Sequence, residues 1–164
     1  MPHVGFESLS PNARAWVFGS SVPLITESSR KQLLAVVDEH LSQWRAHGVP
    51  LVCSREFRDD RFLVVAVDES ATGASGCSID GLFRTLQSLQ SSLGTTLVGG
   101  GPLFYRDGEG AVACVDRAGF ADAVAAGGIT ADTPVFDLTV ANVADWRGSF
   151  EKPAAKSWHA RLLG

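Results

Sequence analysis

The stretch RFLVVAVDESATGASGCSIDGLFRTLQSLQSSLG, residues 61–94, decides the fold of this chain. Residues 62–67 form a continuous, β-branched-rich apolar run bounded by charge, the pattern of a strand buried on both faces. Asp68 and Glu69 end it, and residues 70–76 are polar and without apolar periodicity, which reads as a loop. Ser78 reads as the cap of a following helix, because its hydroxyl can accept from an orphan amide at the helix start. Asp80 then falls in the first turn, where the helix dipole favours negative charge. Leu82, Leu86, Leu89 and Leu93 recur at helical spacing, and Gly94 closes the helix. This reading puts Cys77 just before a helix N-terminus, behind small residues with accessible amides, where thiolate is favoured and an anion can be held. Asp80 opposes both, since a nearby carboxylate disfavours a second negative charge. The plainer alternative makes Cys77 a small buried residue filling the junction of strand and helix.

Upstream, residues before Pro11 read as an extended arm and residues 15–19 (AWVFG) as a short strand. Thr26 caps a helix with Glu27 in its first turn; Leu33, Leu34, Val37, Leu41 and Trp44 mark its apolar face, and Gly48 ends it. Residues 49–57 read as a strand, and Arg58-Asp59-Asp60 as a polar turn into the central strand. Downstream, residues 95–98 are extended before Gly99-Gly100-Gly101-Pro102 breaks the pattern. The order strand, helix, strand, strand, helix, strand is the split βαβ arrangement of a ferredoxin-like α+β sandwich, with helices over one face of an antiparallel sheet.

The expected organisation is therefore a ferredoxin-like βαββαβ body over residues 1–102, a small ββαβ extension over 103–149, and an ordered tail over 150–164. In the extension, residues 103–106 and 110–115 flank a turn at Asp107-Gly108. Asp116 caps a short helix with Phe120 and Val124 inward, ended by Gly127 and Gly128. A strand is expected around 133–138 and one more helical turn over 142–146. The tail ends KPAAKSWHARLLG, aromatic and basic, and is expected to pack back on the body.

At 164 residues the chain is long enough for a substantial core, and its net charge of −4 carries no basic stripe of the kind that nucleic acid or an anionic membrane requires. No apolar run is long enough to span a bilayer, and MPHVGFESLSPNAR lacks the regions of a secretion signal. The odd cysteine count, widely spaced and without a CxxC pair, argues against a disulfide framework or a local zinc knuckle. The expected location is a reducing cytoplasm.

Several stretches carry a resemblance together: ARAWVFGS (13–20), WRAHGVPL (44–51), GASGCSID (73–80) and WHARL (158–162). They resemble a family of small bacterial proteins that carry the label "ABC transporter ATPase", over most of the chain, with ASGCSID and SWHAR the most specific elements. The resemblance implies bacterial origin and brings no reaction with it. The label fails on the residues. A phosphate-binding loop needs GxxxxGK[ST]; residues 94–99 have the glycine spacing, but Gly100 and Gly101 stand where lysine and a hydroxyl residue belong, and 73–78 has no lysine. ATP hydrolysis is rejected. Residues 104–146 are also similar to GYF-type adaptor domains in Tyr105, Phe120, Gly128-Ile129, Asp132-Thr133, Val135-Phe136 and Trp146. The Gly-Pro-Phe or Gly-Pro-Tyr signature those domains use for proline-rich ligands is absent.

Two functional readings follow. In the first, the chain is a noncatalytic binding module whose pocket, built from residues 70–76 with Ser75, Gly76, Ser78, Trp44, Trp158 and Arg161, holds a small anion or a protein partner. In the second, Cys77 is a nucleophile or metal ligand, with His47 or His159 as base or co-ligand and Asp80 or Asp68 orienting the imidazole. No cofactor is called for by any motif. The tryptophans at 16, 44, 146 and 158 also admit a purely structural role as core and interface anchors.

Overall fold

The computed structural model describes residues 4–69, 73–99 and 101–164. Of the expected loop over 70–76, residues 70–72 lie outside that set, as do His3 and Gly100. The elements are β1 (Arg14–Gly19), α1 (Glu27–Ser42), β2 (Arg45–Ala46), β3 (Val49–Pro50), β4 (Val52–Arg58), β5 (Phe62–Asp68), α2 (Gly76–Leu93), β6 (Leu103–Arg106), β7 (Val112–Val115), α3 (Arg117–Ala125), β8 (Pro134–Phe136), α4 (Val143–Ser149) and β9 (Glu151–Pro153). Short 3-10 turns occur at Phe6–Ser8, Ala154–Lys156 and Trp158–Leu162. The protein is α+β. Its sheets are antiparallel: β1-β5-β4, the β2-β3 ribbon, and β7-β6-β8-β9.

β5 is the centre, as its apolar run implies. Every residue from Phe62 to Val67 is inaccessible to solvent. The pleat sends alternate side chains to opposite faces. Leu63, Val65 and Val67 join Phe18 and Cys53 under the helices, against Leu33, Val37 and Leu41 of α1 and Leu82 and Leu86 of α2. Phe62, Val64 and Ala66 point the other way, into Phe104, Phe136, Trp146 and Phe150. Phe62 alone has Phe104, Phe136 and Phe150 ring centroids at 5.1, 4.8 and 5.0 Å. The C-terminal segment is thus the second cover of the body's sheet. Asp59 and Asp60 make the β4–β5 turn, both with left-handed φ of 57°, and the Arg61 amide closes it on the Arg58 carbonyl at 3.2 Å.

Several expectations need correction. α1 stops at Ser42, short of Gly48, because Trp44 to Leu51 closes a hairpin of its own: the Leu51 amide donates to the Trp44 carbonyl, with His47 (φ 52°) and Gly48 (φ 77°) in the turn. His47 is therefore at a hairpin tip, not at a helix C-terminus. The arm before Pro11 is packed, with Phe6 and Leu9 buried against the sheet.

Residues 95–98 are not a strand. The Gln90 carbonyl of the side chain accepts from the Leu97 and Val98 amides at 2.7 and 3.0 Å, and Thr96 exchanges bonds with Ser21. The strand order β1-β5-β4 thus runs without a fourth strand beside β1 among the described residues. A single bridge between Arg14 and Asn142 touches that edge instead.

The tail is ordered but divides its contacts. Phe150 and Glu151 meet the body, through Phe62 and through an ion pair from Arg58 to Glu151 at 2.9 Å. Trp158, Leu162 and Leu163 pack instead on Leu103, Phe120, Ile129 and Val135 of the C-terminal half, because the apolar surface they cover lies there and not on residues 1–102.

Candidate functional site

The cap of α2 sets the site. Ser75, not Ser78, is the N-cap: its hydroxyl accepts from the Ser78 amide at 3.1 Å, and the Ser78 hydroxyl accepts from the Ser75 amide at 2.7 Å. This is a capping box with serine in the place glutamate usually takes. It moves the helix start three residues earlier than the apolar periodicity suggests, since Gly76 and Cys77 carry no signal in that pattern. Cys77 becomes the second helical residue and is exposed. The amides of Gly76 and Cys77 have no carbonyl one turn back within the helix to bond. Asp80 lies past the first turn, which contains no acidic residue. The carboxylate expected to oppose an anion is thus displaced along the helix.

The β2-β3 hairpin is held over this terminus by Trp44. Its ring is buried, and its indole N–H donates to the Ser78 carbonyl at 2.7 Å. Arg45 and His47 then share an open hollow of about 710 Å³ with Ser75, Gly76, Cys77 and Ser78. Arg45 is the residue sequence reasoning missed. The signal was the two-residue His47-Gly48 turn inside WRAHGVPL, which makes a hairpin that carries its flanking arginine along.

The structure therefore unites His47, Cys77, Ser75, Gly76 and Ser78, with Trp44 beneath. It does not bring the tail to them. His159 is fully buried in the C-terminal half, stacked on Trp158 at 4.0 Å and packed against Phe120. Its Nδ1 pairs with the Ser157 hydroxyl at 2.7 Å, and burial pushes its pKa down to about 4. Trp158 belongs to the same cluster and Arg161 is exposed beyond it. None of the three lines the hollow. The apolar surface under the tail explains why: the tail's aromatic character is used in packing there. Nor do Cys77, His47, His159 and Asp80 converge as a ligand set, and among the described residues no three His, Cys, Asp or Glu side chains are grouped to hold a metal ion.

Other polar groups differ in kind. Burial pushes the Cys53 thiol up to about 12 and raises that of Cys114, with Arg61 partly offsetting the second. His40 sits half-buried between Trp44 and Thr85, its pKa lowered by burial. Gly94, with φ of 66°, is the C-terminal cap of α2, so residues 94–99 follow a helix, whereas a phosphate loop must lead into one.

No family model, curated protein or solved structure matches this chain. No helix among the described residues is long and apolar enough to cross a membrane.

Proposed function

We propose that this chain is a noncatalytic bacterial protein that binds a small anion, or the acidic end of a protein partner, in the hollow over the start of α2. The observation that carries the reading is the lining itself. An arginine and a histidine face a helix N-terminus whose first amides have no helical partner, and among the described residues no carboxylate lines the hollow. The dipole of an eighteen-residue helix adds to the same field. Arginine supplies a charge-assisted fork suited to carboxylate or phosphate. Two of the stretches that carry the family resemblance, 44–51 and 73–80, meet at this hollow. The free thiols of Cys53, Cys77 and Cys114 support a reducing, cytoplasmic setting. The order β1-β5-β4 supports a ferredoxin-like reading of the body, with the place of its fourth strand open.

The test is calorimetric titration with inorganic phosphate. Arg45→Ala should weaken binding roughly tenfold, as expected for one charge-assisted bond. Arg161→Ala, remote from the hollow, should leave it unchanged. Equal affinity in the wild type and Arg45→Ala sinks the reading.

A second reading draws on one further observation, that His47 and the exposed Cys77 share the hollow. There Cys77 acts as a thiol nucleophile with His47 as base. Cys77→Ser distinguishes the two, abolishing thiol chemistry while phosphate binding persists.

A further inference from the structure

β1 is an edge strand, and its outer edge is only partly used. Even-numbered residues of β1 bond inward to β5, as the Ser20 amide continues to do with the Arg61 carbonyl at 2.7 Å. Odd-numbered residues therefore turn their N–H and C=O groups outward. Ala15 meets the Ala141 carbonyl at 2.9 Å, after which residues 138–141 leave the edge through a turn closed by the Val140 amide on the Asp137 carbonyl. Among the described residues nothing pairs with the outward groups of Val17 and Gly19. The segment that would complete the sheet, residues 95–98, is held away by the Gln90 side chain and by Ser21.

A groove runs along this edge. One part, about 420 Å³, is lined by Val17, Gly19, Phe83, Leu97, Pro102 and Leu138 among others; a second, about 230 Å³, continues past Phe83 and Leu138 to Arg14. Among the described residues the only charged side chain on either wall is Arg14, at one end. Gly19 lies on the groove floor: a Cβ there would meet the Phe104 ring at 2.6 Å.

We propose that this groove takes an extended apolar segment of a partner protein, added to the sheet as a strand beside β1, with an acidic residue of that segment at the Arg14 end. The outward amides and carbonyls of Val17 and Gly19 call for a backbone partner, which an apolar small molecule cannot supply. The walls call for alternate apolar side chains, and the lone arginine for a terminal carboxylate. A second copy of this chain does not fit. Its own β1 edge lies at the bottom of an identical groove, flanked by Leu97, Val98, Gly99 and Pro102 on one side and by residues 138–141 on the other, so two recessed edges cannot meet. The proposal concerns a different surface from the α2 hollow and does not depend on it.

The probe is a displayed library of random decapeptides selected on the full chain, followed by synthesis of the selected peptide. The expected consensus alternates β-branched or aromatic residues, lacks proline at its centre and carries Asp or Glu at one end. The bound peptide should slow hydrogen exchange at the Val17 and Gly19 amides. Methylating its alternate backbone nitrogens should weaken binding at least tenfold, and Val17→Pro, which removes an outward donor but no bond to β5, should do the same. Leu138→Lys, which puts a charge on the apolar groove wall and changes no residue of β1, serves if Val17→Pro fails to fold. The proposal is overturned if no peptide is enriched, if backbone methylation leaves binding intact, or if a concentration-dependent dimer protects the same two amides.

Discussion

Cys77 and Cys53 are the same side chain in opposite surroundings. Cys77 stands exposed on the first turn of α2, whereas Cys53 is sealed beneath α1 with its thiol pushed up to about 12. Brief treatment of the native protein with iodoacetamide at neutral pH should label Cys77 and spare Cys53, read by peptide mass mapping. Labelling of Cys53 at a comparable rate would contradict the packing described for the helix face. His159 makes the second residue-scale prediction. An ordinary histidine titrates near 6.5, and burial lowers this one to about 4 in the folded chain, with Asp137 and Lys152 the charged groups near it. Above pH 6.5 both states hold the imidazole neutral. As pH falls from 6.5 toward 4 the unfolded chain takes up a proton that the folded chain refuses, so stability is lost across that window, by up to about 3 kcal/mol. Denaturant midpoints measured between pH 7 and pH 4 should fall for the wild type and stay flatter for His159→Gln. The place of Cys77 near a helix start was legible from its neighbours, because small polar residues before a leucine stripe mark such a start. The place of His159 was not, since an aromatic, basic tail gives no hint of which apolar surface it will cover.

The β2-β3 hairpin and the first turn of α2 act as one unit through a single indole. Trp44→Phe keeps the ring in the core and removes the bond to the Ser78 carbonyl. It should cost about 1 kcal/mol in denaturant unfolding, and should also weaken phosphate binding, because Arg45 and His47 lose their fixed position over Cys77. A variant that loses stability but keeps full phosphate affinity would show that the hairpin is not what positions those side chains. Ser75→Ala tests the cap separately. It removes the acceptor of the Ser78 amide and should destabilise by about 1 kcal/mol, whereas Ser78→Ala deletes the reciprocal half of the same box. At this scale the periodicity of Leu82, Leu86 and Leu89 located the helix and its buried face. It could not locate the first turn, where Gly76 and Cys77 belong to no apolar stripe, and so the start fell three residues late. Residues 95–98 show the converse failure. Thr-Thr-Leu-Val has strand character, but a glutamine one turn before the helix end takes the amides a strand would have offered to β1.

Across the whole molecule, β5 carries the fold by being covered twice. The helices take one face, and the C-terminal half takes the other through Phe104, Phe136, Trp146 and Phe150. Phe62→Ala should therefore destabilise both halves at once, by about 3–5 kcal/mol, in a single cooperative transition; two separate transitions would show that the halves fold independently. Polar links cross the same seam. Glu151 accepts from Arg58 of the body and from Arg106 of the C-terminal half, and the Trp146 indole donates to Glu56. The continuous apolar run of 62–67 announced burial on both faces. What supplies the second cover was not readable, because the covering aromatics lie far along the chain and their hairpin and short helix look self-contained. The gathering of Arg45, His47 and Cys77 was less readable still: reading residues 27–48 as one helix hid the β2-β3 hairpin that carries Arg45 and His47 to Cys77. The most direct test of the account is a backbone amide spectrum of isotope-labelled protein titrated with inorganic phosphate. The account predicts saturable shifts at Gly76 and Cys77, abolished by Arg45→Ala and retained in Cys77→Ser. Amides at Gly76 and Cys77 that stay unmoved while phosphate perturbs the surface diffusely would contradict it.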